Sequence, residues 1–344
     1  MKNNTRSVEI WLWSICLLVL AMVGVGGITR LTGSGLSMVE WKPIMGAIPP
    51  LSQEHWMEVF EKYQASPQFK LVNSSMTLSG FKLIFFWEWF HRLLGRAIGL
   101  FYLVPWIYFL AKKMIPTGLN RTLIVGFLLG CGQGLMGWLM VASGLVEQPH
   151  VSHYRLAAHL SFALAIMGVI YWAILGLRAA RLEPASKPNP ALAPLRKILC
   201  AATFLVIIQI IWGALTAGLR AGLGYNTFPM MGSEWFPDAA TTLSPLWLNF
   251  FENPVAVQFA HRSFGWLLFF SAAGIFLYAR SLSLPKKQKR AVSAFTHGVF
   301  GQFVLGVLTL VFVVPVHLAV VHQVAGSGVF LLLLWARHSI KEVL

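Results

Sequence analysis

Two short segments decide the fold of this chain: EWFHRLLG at residues 88–95 and QFAHRSFG at residues 258–265. Both contain a His-Arg pair with a glycine four residues after the histidine, and both lie in long, nearly uncharged stretches. Ionisable side chains inside such stretches are costly and are functional candidates by default. The two segments therefore point to a membrane protein whose halves are related.

The composition supports a membrane location. The 344 residues are 57% hydrophobic and 11% charged, with a mean hydropathy of +0.67, whereas soluble domains have about a quarter charged residues. The net charge of +15 would suit nucleic acid only as a patch on a soluble fold, so we expect no nucleic-acid partner. Cys16, Cys131 and Cys200 lie singly in apolar runs, which indicates neither a disulfide framework nor a zinc site.

Eight apolar segments are long enough to cross about 30 Å of hydrocarbon, and all should be helices because helices satisfy their own backbone groups in lipid. The first segment resembles a signal peptide, but it has no evident cleavage site and further spans follow, so we interpret it as a retained helix. The predicted spans are 10–28, 81–110, 123–146, 153–177, 198–219, 255–279, 291–314 and 316–336.

The basic residues predict the orientation. Seventeen of the 27 lysines and arginines lie at the N-terminus or in the even-numbered loops and C-terminus, whereas the odd-numbered loops hold five of them and eight acidic residues. By the positive-inside rule, both termini are cytoplasmic and the protein lies in the inner membrane. The long outer loops, 29–80 and 220–253, are rich in Gly, Pro and Trp and should fold over the membrane face.

The chain contains a tandem repeat of four helices. Residues 27–46 align without a gap to residues 213–232, and both segments end Pro-x-Met-Gly. A proline-rich stretch at 186–194 separates the repeats, which predicts two pseudo-symmetric four-helix bundles, residues 1–185 and 186–344. The other matched positions are His91 with His261, His159 with His322, Gln133 with Gln302, and Gly137 with Gly306.

Four histidines lie early in the spans that run inward from the outer face. Two of them follow a proline by seven residues, which places them about 10 Å below the surface. A zinc or copper site would normally add carboxylate or thiolate ligands, whereas two opposed imidazoles with a glycine one turn away suit a flat macrocycle such as haem. A single such histidine is more often a helix-packing residue, but four at duplicated positions argue against coincidence. They are His91, His159, His261 and His322.

Other residues near the outer face complete this interpretation. Gly95 and Gly265 would let a ring lie close to the helix backbone. Arginines at this depth have no use in lipid, but they can donate charge-assisted hydrogen bonds to haem propionates. The candidate propionate contacts are Arg30, Arg92, Arg155 and Arg262, and the histidines with open roles, as propionate partners, transient ligands or ordinary interfacial residues, are His150, His153 and His317.

The repeats differ at one position, where Glu88 precedes His91 but Gln258 precedes His261. Residues three apart share a helix face, so Glu88 should lie beside the first pocket. A carboxyl group there can move protons during chemistry on a bound ring, although an ion pair with Arg92 or Arg96 is the structural alternative. The asymmetry predicts that the first half does chemistry while the second supplies electrons.

These residues resemble the haem A synthase family of membrane oxidoreductases. The likeness runs from Gly26 to Ser37, through Trp41-x-Pro43 and the Glu-x-x-His-Arg-x-x-Gly-Arg segment at 88–96, to His322-Gln323. It implies an eight-helix bundle that oxidises a porphyrin methyl group of haem O to the formyl group of haem A. It further implies two hydroxylations with molecular oxygen, followed by loss of water.

Carried over by position, the resemblance places haem O between His91 and His159, gives Glu88 a catalytic role, and assigns His261 and His322 to a permanent haem B. It implies a haem O synthase as supplier, an unidentified electron donor, and cytochrome oxidase as recipient. The outer-loop cysteine pairs of some members are missing here, so the chain is more like the proteobacterial and mitochondrial type.

Two other functions are open from the residues alone. A di-haem b-type electron carrier would explain the four histidines but not the single carboxylate, and a haem transporter would need exchangeable haem in both halves. Small residues such as Gly126 and Gly130 allow a homo-oligomer, although packing within the bundle explains them as well.

Overall fold

The structure is a computed structural model that describes residues 2–40, 45–144, 150–182 and 189–340. Long helices form most of this part of the chain, which contains no β-strand beyond one bridge between Met231 and Glu234. The long helices are α1 (Lys2–Leu31), α2 (Leu78–Ala111), α3 (Leu119–Gly144), α4 (His153–Leu182), α5 (Ala193–Gly218), α6 (Pro254–Ser281), α7 (Lys286–Val311) and α8 (Val316–Ser339).

All eight helices are long and apolar enough to cross a membrane, which confirms the predicted spans and a multi-pass all-α membrane protein. Even α8, with 24 residues, reaches about 36 Å. The largest difference is at α1, which begins eight residues before the predicted span. Glu9 in this extension accepts a hydrogen bond from Arg181 of α4 at 2.6 Å, so a paired charge extends the helix beyond its apolar run.

The helices form an inner and an outer set. Helices α1, α4, α5 and α8 contact one another at the centre, while α2 and α3 lie outside them on one side and α6 and α7 on the other. We call the end of the bundle that carries residues 32–77 and 219–253 the long-loop face, and the opposite end the short-loop face. The four histidines lie toward the long-loop face, since each follows the start of a helix that begins there.

The packed core lies toward the short-loop face. Its fully buried side chains include Leu12 and Ile15 of α1, Met167 and Ile170 of α4, and Leu333 of α8. Lipid is as apolar as these side chains, so close packing and dispersion stabilise the core more than removal from water does. The four histidines lie toward the opposite end of the bundle.

The first long loop folds over the membrane face around a small aromatic core. Helices Gln53–Gln64 and Pro67–Leu71 begin at the capping residues Ser52 and Ser66. The ring of Tyr63 stacks on Phe81 of α2 with 5.0 Å between centroids. On the loop surface Lys62 lies 2.8 Å from Glu58 and 2.9 Å from Glu40, and hydrogen bonds to these carboxylates raise the pKa of its ammonium group. This covering agrees with the predicted position of the loop.

The second long loop is held by hydrogen bonds instead of an aromatic core. Asn249 donates to the carbonyls of Leu243 at 2.8 Å and Leu246 at 3.0 Å. Asn253 donates to the carbonyl of Ala239 at 2.7 Å and accepts from the backbone of Val255 at 2.9 Å, which caps α6. Both asparagines are buried, so their amides pair backbone groups that would otherwise be unsatisfied.

Contacts at the ends of α1 and α5 correct the predicted alignment of the repeats. Gly26 and Gly213 each face a histidine, and Gly33 and Arg220 each adopt a left-handed φ, +68° and +53°, just beyond the helix. Both pairs are 187 residues apart, one more than in the predicted gap-free match. The prediction was wrong by one residue because the Gly26-Gly27 pair permits two registers, and only packing against the histidine selects between them.

These recurring contacts fit the predicted division into two halves, which stays a prediction. We refer to residues 1–185 as the N-terminal half and residues 186–344 as the C-terminal half. The boundary itself, the first three residues of the linker at 186–194, and the Trp41-x-Pro43 motif lie outside the described residues.

Candidate functional site

Each of the four histidines lies against a glycine of the preceding long helix. A methyl group added to Gly26 or Gly137 would stand 3.2 Å from the imidazole Cε1 of His91 or His159. A methyl group on Gly213 would stand 3.0 Å from the same atom of His261. In the fourth instance Gly306 faces His322, with 2.9 Å to its Cε1. The missing side chains let each imidazole lie directly against a helix backbone.

The histidines form one pair in each half. His91 interacts electrostatically with His159, and His261 interacts with His322. Each pair combines the second and fourth helix of its half. The prediction that the two imidazoles of a pair hold one macrocyclic metal stays a prediction.

Glutamines orient one histidine of each pair. The amide nitrogen of Gln133 in α3 lies 3.2 Å from Nε2 of His159. In the C-terminal half the amide nitrogen of Gln302 lies 3.1 Å from Nδ1 of His322 and donates to its carbonyl at 2.8 Å. The repeat identified these glutamines, and the structure gives them a purpose, because a ligating histidine is oriented by the groups around it.

Some ring nitrogens remain unpaired. Nδ1 of His159 and Nδ1 of His261 are buried without a hydrogen-bond partner, and such orphaned polar atoms call for an explanation. Within the described ranges, no group of three or more His, Cys, Asp or Glu side chains converges as a metal site. Two histidines are the number of protein ligands that a macrocyclic metal takes.

Glu88 is buried, with 3% of its surface exposed, and it is surrounded by donors. Its Oε2 accepts from the Ser37 hydroxyl and from the backbone N–H of Met38, both at 2.8 Å, and its Oε1 pairs with Arg92 of the next helical turn. The predicted ion pair with Arg92 is therefore present. The carboxylate also fastens the start of the first long loop to α2.

Gln258 connects its helix to the long loop of the C-terminal half, but it donates hydrogen bonds to that loop where Glu88 accepts them. Its amide nitrogen donates to the carbonyls of Ala221 at 2.9 Å and Tyr225 at 3.1 Å, and its oxygen accepts from Arg262 at 3.2 Å. Glu88 can only accept from its loop, whereas Gln258 mainly donates to its own. The Glu-to-Gln difference is thus accompanied by a difference in how each loop is held.

The arginines predicted to contact propionates form hydrogen bonds with the protein itself. Arg262 donates to the carbonyls of Tyr225 and Thr227 at 2.8 and 2.9 Å, but its Nε is buried and unpaired. Arg30 at the end of α1 reaches the carbonyl of Ala217 in the other half, and its Nε is likewise unpaired.

Arg92 and Arg155 differ from these two. Arg92 contacts Glu88 and also donates to the carbonyl of Met38 at 3.2 Å. Arg155 donates to the carbonyl of Leu139 at 2.9 Å from an exposed position. Hence Arg155 lies at the rim of the bundle, and Arg92 is a loop-fastening residue.

The histidines with open roles lie at the rim as well. His150 and His317 are exposed. His153 lies 3.6 Å from Glu252 of the second long loop, and its neighbour Tyr154 donates to the same carboxylate at 2.6 Å. These contacts join α4 of one half to a loop of the other, which is a structural use for His153.

Gly95 and Gly265 lie close to side chains of a neighbouring helix. A methyl group on Gly95 would meet Met22 of α1 at 3.3 Å, and one on Gly265 would meet Gln209 of α5 at 3.5 Å. The suggestion that these two glycines let a ring lie close to the helix backbone stays a prediction. The glycines that lie against imidazoles are the four on the preceding helices, and the sequence singled out none of them as a histidine contact because a contact between two helices leaves no pattern within either one.

Comparison with known proteins agrees with this site. Residues 9–334 match the family model described as "Cytochrome oxidase assembly protein". A protein named "Heme A synthase" from Nitrosospira multiformis is 45% identical over 339 residues, covering 98% of this chain and 94% of that protein. One of the same name from Paracoccus denitrificans is 43% identical over 338 residues, covering 98% of this chain and 88% of that protein. The chain therefore belongs to the cytochrome oxidase assembly protein family, together with these haem A synthases.

Proposed function

We propose that this chain is a membrane oxidoreductase that converts haem O into haem A by oxidising a porphyrin methyl group to a formyl group. One contrast carries the proposal: both halves hold a histidine pair against glycines, but only the N-terminal half has a buried carboxylate beside its pair. A protein that only relays electrons would need the two histidine pairs and no such carboxylate.

The N-terminal pair is the proposed substrate site. His91 and His159 would hold haem O from opposite faces, with His159 steered by Gln133. The unpaired Nδ1 of His159 and the glycines at positions 26 and 137 support this assignment, since they leave the rings accessible and close to the backbone.

The C-terminal pair is the proposed site of a resident haem B. His261 and His322 would hold it, and the buried, unpaired Nδ1 of His261 together with Gly213 and Gly306 fits such a group. Haem B supplies one-electron transfer when it is bound. The residues of this half keep the ligands in place through Gln302 and through the loop contacts of Gln258 and Arg262.

Arg30 and Arg262 are the best supported propionate contacts, because each keeps a buried guanidinium Nε–H without a partner. A propionate offers the acceptor that such a donor lacks, and the charge-assisted bond is strong in a dry site. Arg92 already forms an ion pair with Glu88, so it would hold the first long loop in position. Arg155 lies at the exposed rim, so it would contact the propionate carboxylate nearest the membrane surface.

Glu88 would accept and release protons during methyl oxidation. Its hydrogen-bonded neighbour Ser37 is buried, and a hydroxyl group can both give and take a proton. The Ser37–Glu88 pair therefore connects the first long loop to the helical turn that carries His91. Arg92 offsets the negative charge of the carboxylate in this buried place.

The overall change, from methyl to formyl, is a four-electron oxidation. Two hydroxylations with molecular oxygen as co-substrate followed by loss of one water account for it, with an external donor returning electrons through the C-terminal half. A haem O synthase would supply the substrate, and cytochrome oxidase would receive the haem A. A homo-oligomer is compatible with the exposed apolar surface of α3, which includes Leu128 and Leu135.

The proposed location is the cytoplasmic membrane, with both termini inside. The short-loop face carries most of the basic residues, such as Lys112, Lys113 and Arg280, and basic residues stay on the cytoplasmic side. The long-loop face, and with it both histidine pairs, would then lie toward the outer side.

The test is haem extraction, chromatography and mass analysis of membranes that contain this chain and a haem O synthase, grown with and without air. Haem A should appear only with the chain and only in air. The control is Glu88→Gln, which should keep haem B but make no haem A.

A purified protein that holds only haem B, with haem O unchanged in aerated membranes, would overturn the proposal and favour a di-haem b-type electron carrier. Undiminished haem A in Glu88→Gln would leave the reaction standing but remove the carboxylate from it.

A further inference from the structure

The two outer helices of the C-terminal half are joined by an aromatic seam. Trp266 and Phe269 of α6 meet Phe303 of α7 with centroid distances of 4.7 and 4.9 Å, and Phe269 meets Phe300 at 4.8 Å. Phe228 of the second long loop stacks on Trp266 at 5.7 Å. These rings close the space between α6 and α7 beside the histidine pair.

The N-terminal half has no such seam at the matching positions. The pairs His91/His261 and Gln133/Gln302 fix the register of the outer helices, and the residues that correspond to Trp266, Phe269, Phe300 and Phe303 are then Arg96, Gly99, Cys131 and Gly134. A methyl group on Gly99 or Gly134 would meet no atom within 4 Å. Four large side chains are thus replaced by two glycines, a cysteine and an arginine, and the space stays open.

Helices α2 and α3 meet nearer the short-loop face. There the Tyr102 hydroxyl donates to the carbonyl of Leu123 at 2.7 Å, and the Trp106 indole donates to Asn120 at 3.0 Å. The helices are therefore fastened at one end and separated by small residues toward the other. Gly134 shares a helix face with Gly137 one turn away, and Gly137 lies against His159, so the opening lies within one helical turn of the histidine pair.

The chemistry of the opening selects its occupant. Cys131 and Gly134 are exposed, and the neighbouring Leu135 has 57% of its surface exposed, next to the lipid-facing Leu128. Arg96 is the one charged residue among the four corresponding positions, and an apolar chain that lies against Gly99, Cys131 and Gly134 buries no unpaired polar group there. Haem O differs from haem B in carrying a long isoprenoid tail, and the tail is the part of this substrate that an apolar, lipid-facing slot can hold.

We propose that the α2–α3 slot, formed by Gly99, Cys131 and Gly134, receives the isoprenoid tail of haem O from the bilayer, and that the aromatic seam of the C-terminal half excludes such a tail. This inference rests on the proposed function, because it needs haem O at the N-terminal histidine pair. It explains how one half exchanges a tailed haem while the other keeps an untailed one.

The native Cys131 thiol is a probe for the slot. Purified protein in lipid nanodiscs, with its resident haem, is treated with a membrane-permeant maleimide, and labelling at Cys131 and Cys200 is followed by mass analysis of peptides. Added haem O should slow labelling of Cys131 about fivefold or more and leave Cys200 unchanged. Added haem B should give little protection. Binding is followed separately from the absorption spectrum.

The possible results separate the two proposals. If haem O binds by its spectrum but Cys131 is labelled at the same rate, or if haem B protects equally, the slot does not hold the tail and the proposed function is unaffected. If haem O produces no spectral change at the N-terminal pair, the proposed function and the slot both fail.

A variant gives a second, independent readout. Gly134→Phe introduces the ring that Phe303 provides in the C-terminal half. It should reduce the haem O retained after purification about fivefold, while haem B content stays unchanged. The matched control, Leu135→Phe, adds a ring at the neighbouring exposed position and should retain haem O normally. Equal retention in both variants would overturn the slot, and unchanged haem B shows that the variants are folded.

Discussion

The N-terminal and C-terminal halves hold their histidines in the same way but differ in the surrounding parts. In both, glycines and a glutamine position an imidazole pair. The N-terminal half adds a buried carboxylate, an aromatic-cored loop and an open α2–α3 slot, whereas the C-terminal half has a glutamine, a hydrogen-bonded loop and a closed aromatic seam. The difference teaches that one scaffold can be adapted either to exchange its ligand or to retain it.

The largest effect is expected from removing one histidine in each half. We expect His322→Ala to lose the resident haem, with haem B per protein reduced more than about 100-fold, beyond the 10- to 100-fold that loss of an orienting residue around a metal costs. His159→Ala should keep haem B and lose haem A formation. The measurement is haem content of purified protein by extraction. Equal loss of haem B in both variants would break the assignment of one haem to each half.

Exchange of the carboxylate and the glutamine tests the chemical asymmetry. Glu88→Gln should lower turnover by about 10²-fold or more, the usual contribution of a positioned acid or base, with haem B content unchanged. Gln258→Glu should leave the rate of haem A formation unchanged. It should destabilise the second loop by about 1–3 kcal/mol, because a carboxylate would face the carbonyls of Ala221 and Tyr225.

The measurements for this exchange are haem A formed per haem B and the thermal unfolding of each variant. Ser37→Ala is the added control: it removes one donor to Glu88 and leaves the carboxylate in place. If Glu88→Gln destabilises the loop but forms haem A at the normal rate, the difference between Glu88 and Gln258 affects loop stability and not the reaction.

The two long loops should differ in how they respond to truncation. Phe81→Ala removes the ring on which Tyr63 stacks and should destabilise the first loop by about 3–5 kcal/mol, the typical cost of such a cavity. Asn249→Ala should cost the second loop about 1–3 kcal/mol through unsatisfied carbonyls. Limited proteolysis and hydrogen exchange of each loop measure both effects. Equal protection changes in the two loops would contradict the contrast.

A smaller effect is expected at the glycines that lie against the imidazoles. Gly213→Ala and Gly306→Ala would crowd the histidines at 3.0 and 2.9 Å and should cost about 1–3 kcal/mol, as overpacking usually does, with a shifted spectrum of the resident haem. Gly137→Ala should leave that spectrum unchanged. Gly274→Ala in α6 adds a methyl group in open space and is the matched control. A spectral shift in Gly274→Ala would show that the shift does not require contact with a histidine.

Much of this fold could be predicted from the chain because lipid imposes simple rules on it. The eight spans follow from hydropathy, and the histidine pairs follow from duplicated positions. The register at Gly26 could not be predicted, since the adjacent Gly26 and Gly27 look alike until a neighbouring helix selects one. The loop contacts of Arg262 depend on backbone carbonyls, which leave no pattern in a sequence.

The position of the packed core has a consequence for the surrounding lipid. Leu12, Ile15, Met167 and Ile170 all lie toward the short-loop face, so the two leaflets of the bilayer act on different properties of the protein. Lipids next to the short-loop face support the part that keeps the bundle assembled. Lateral pressure in the opposite leaflet acts on the part that carries the histidine pairs, so we expect a change of acyl-chain packing there to alter the geometry of those pairs before it alters the melting temperature.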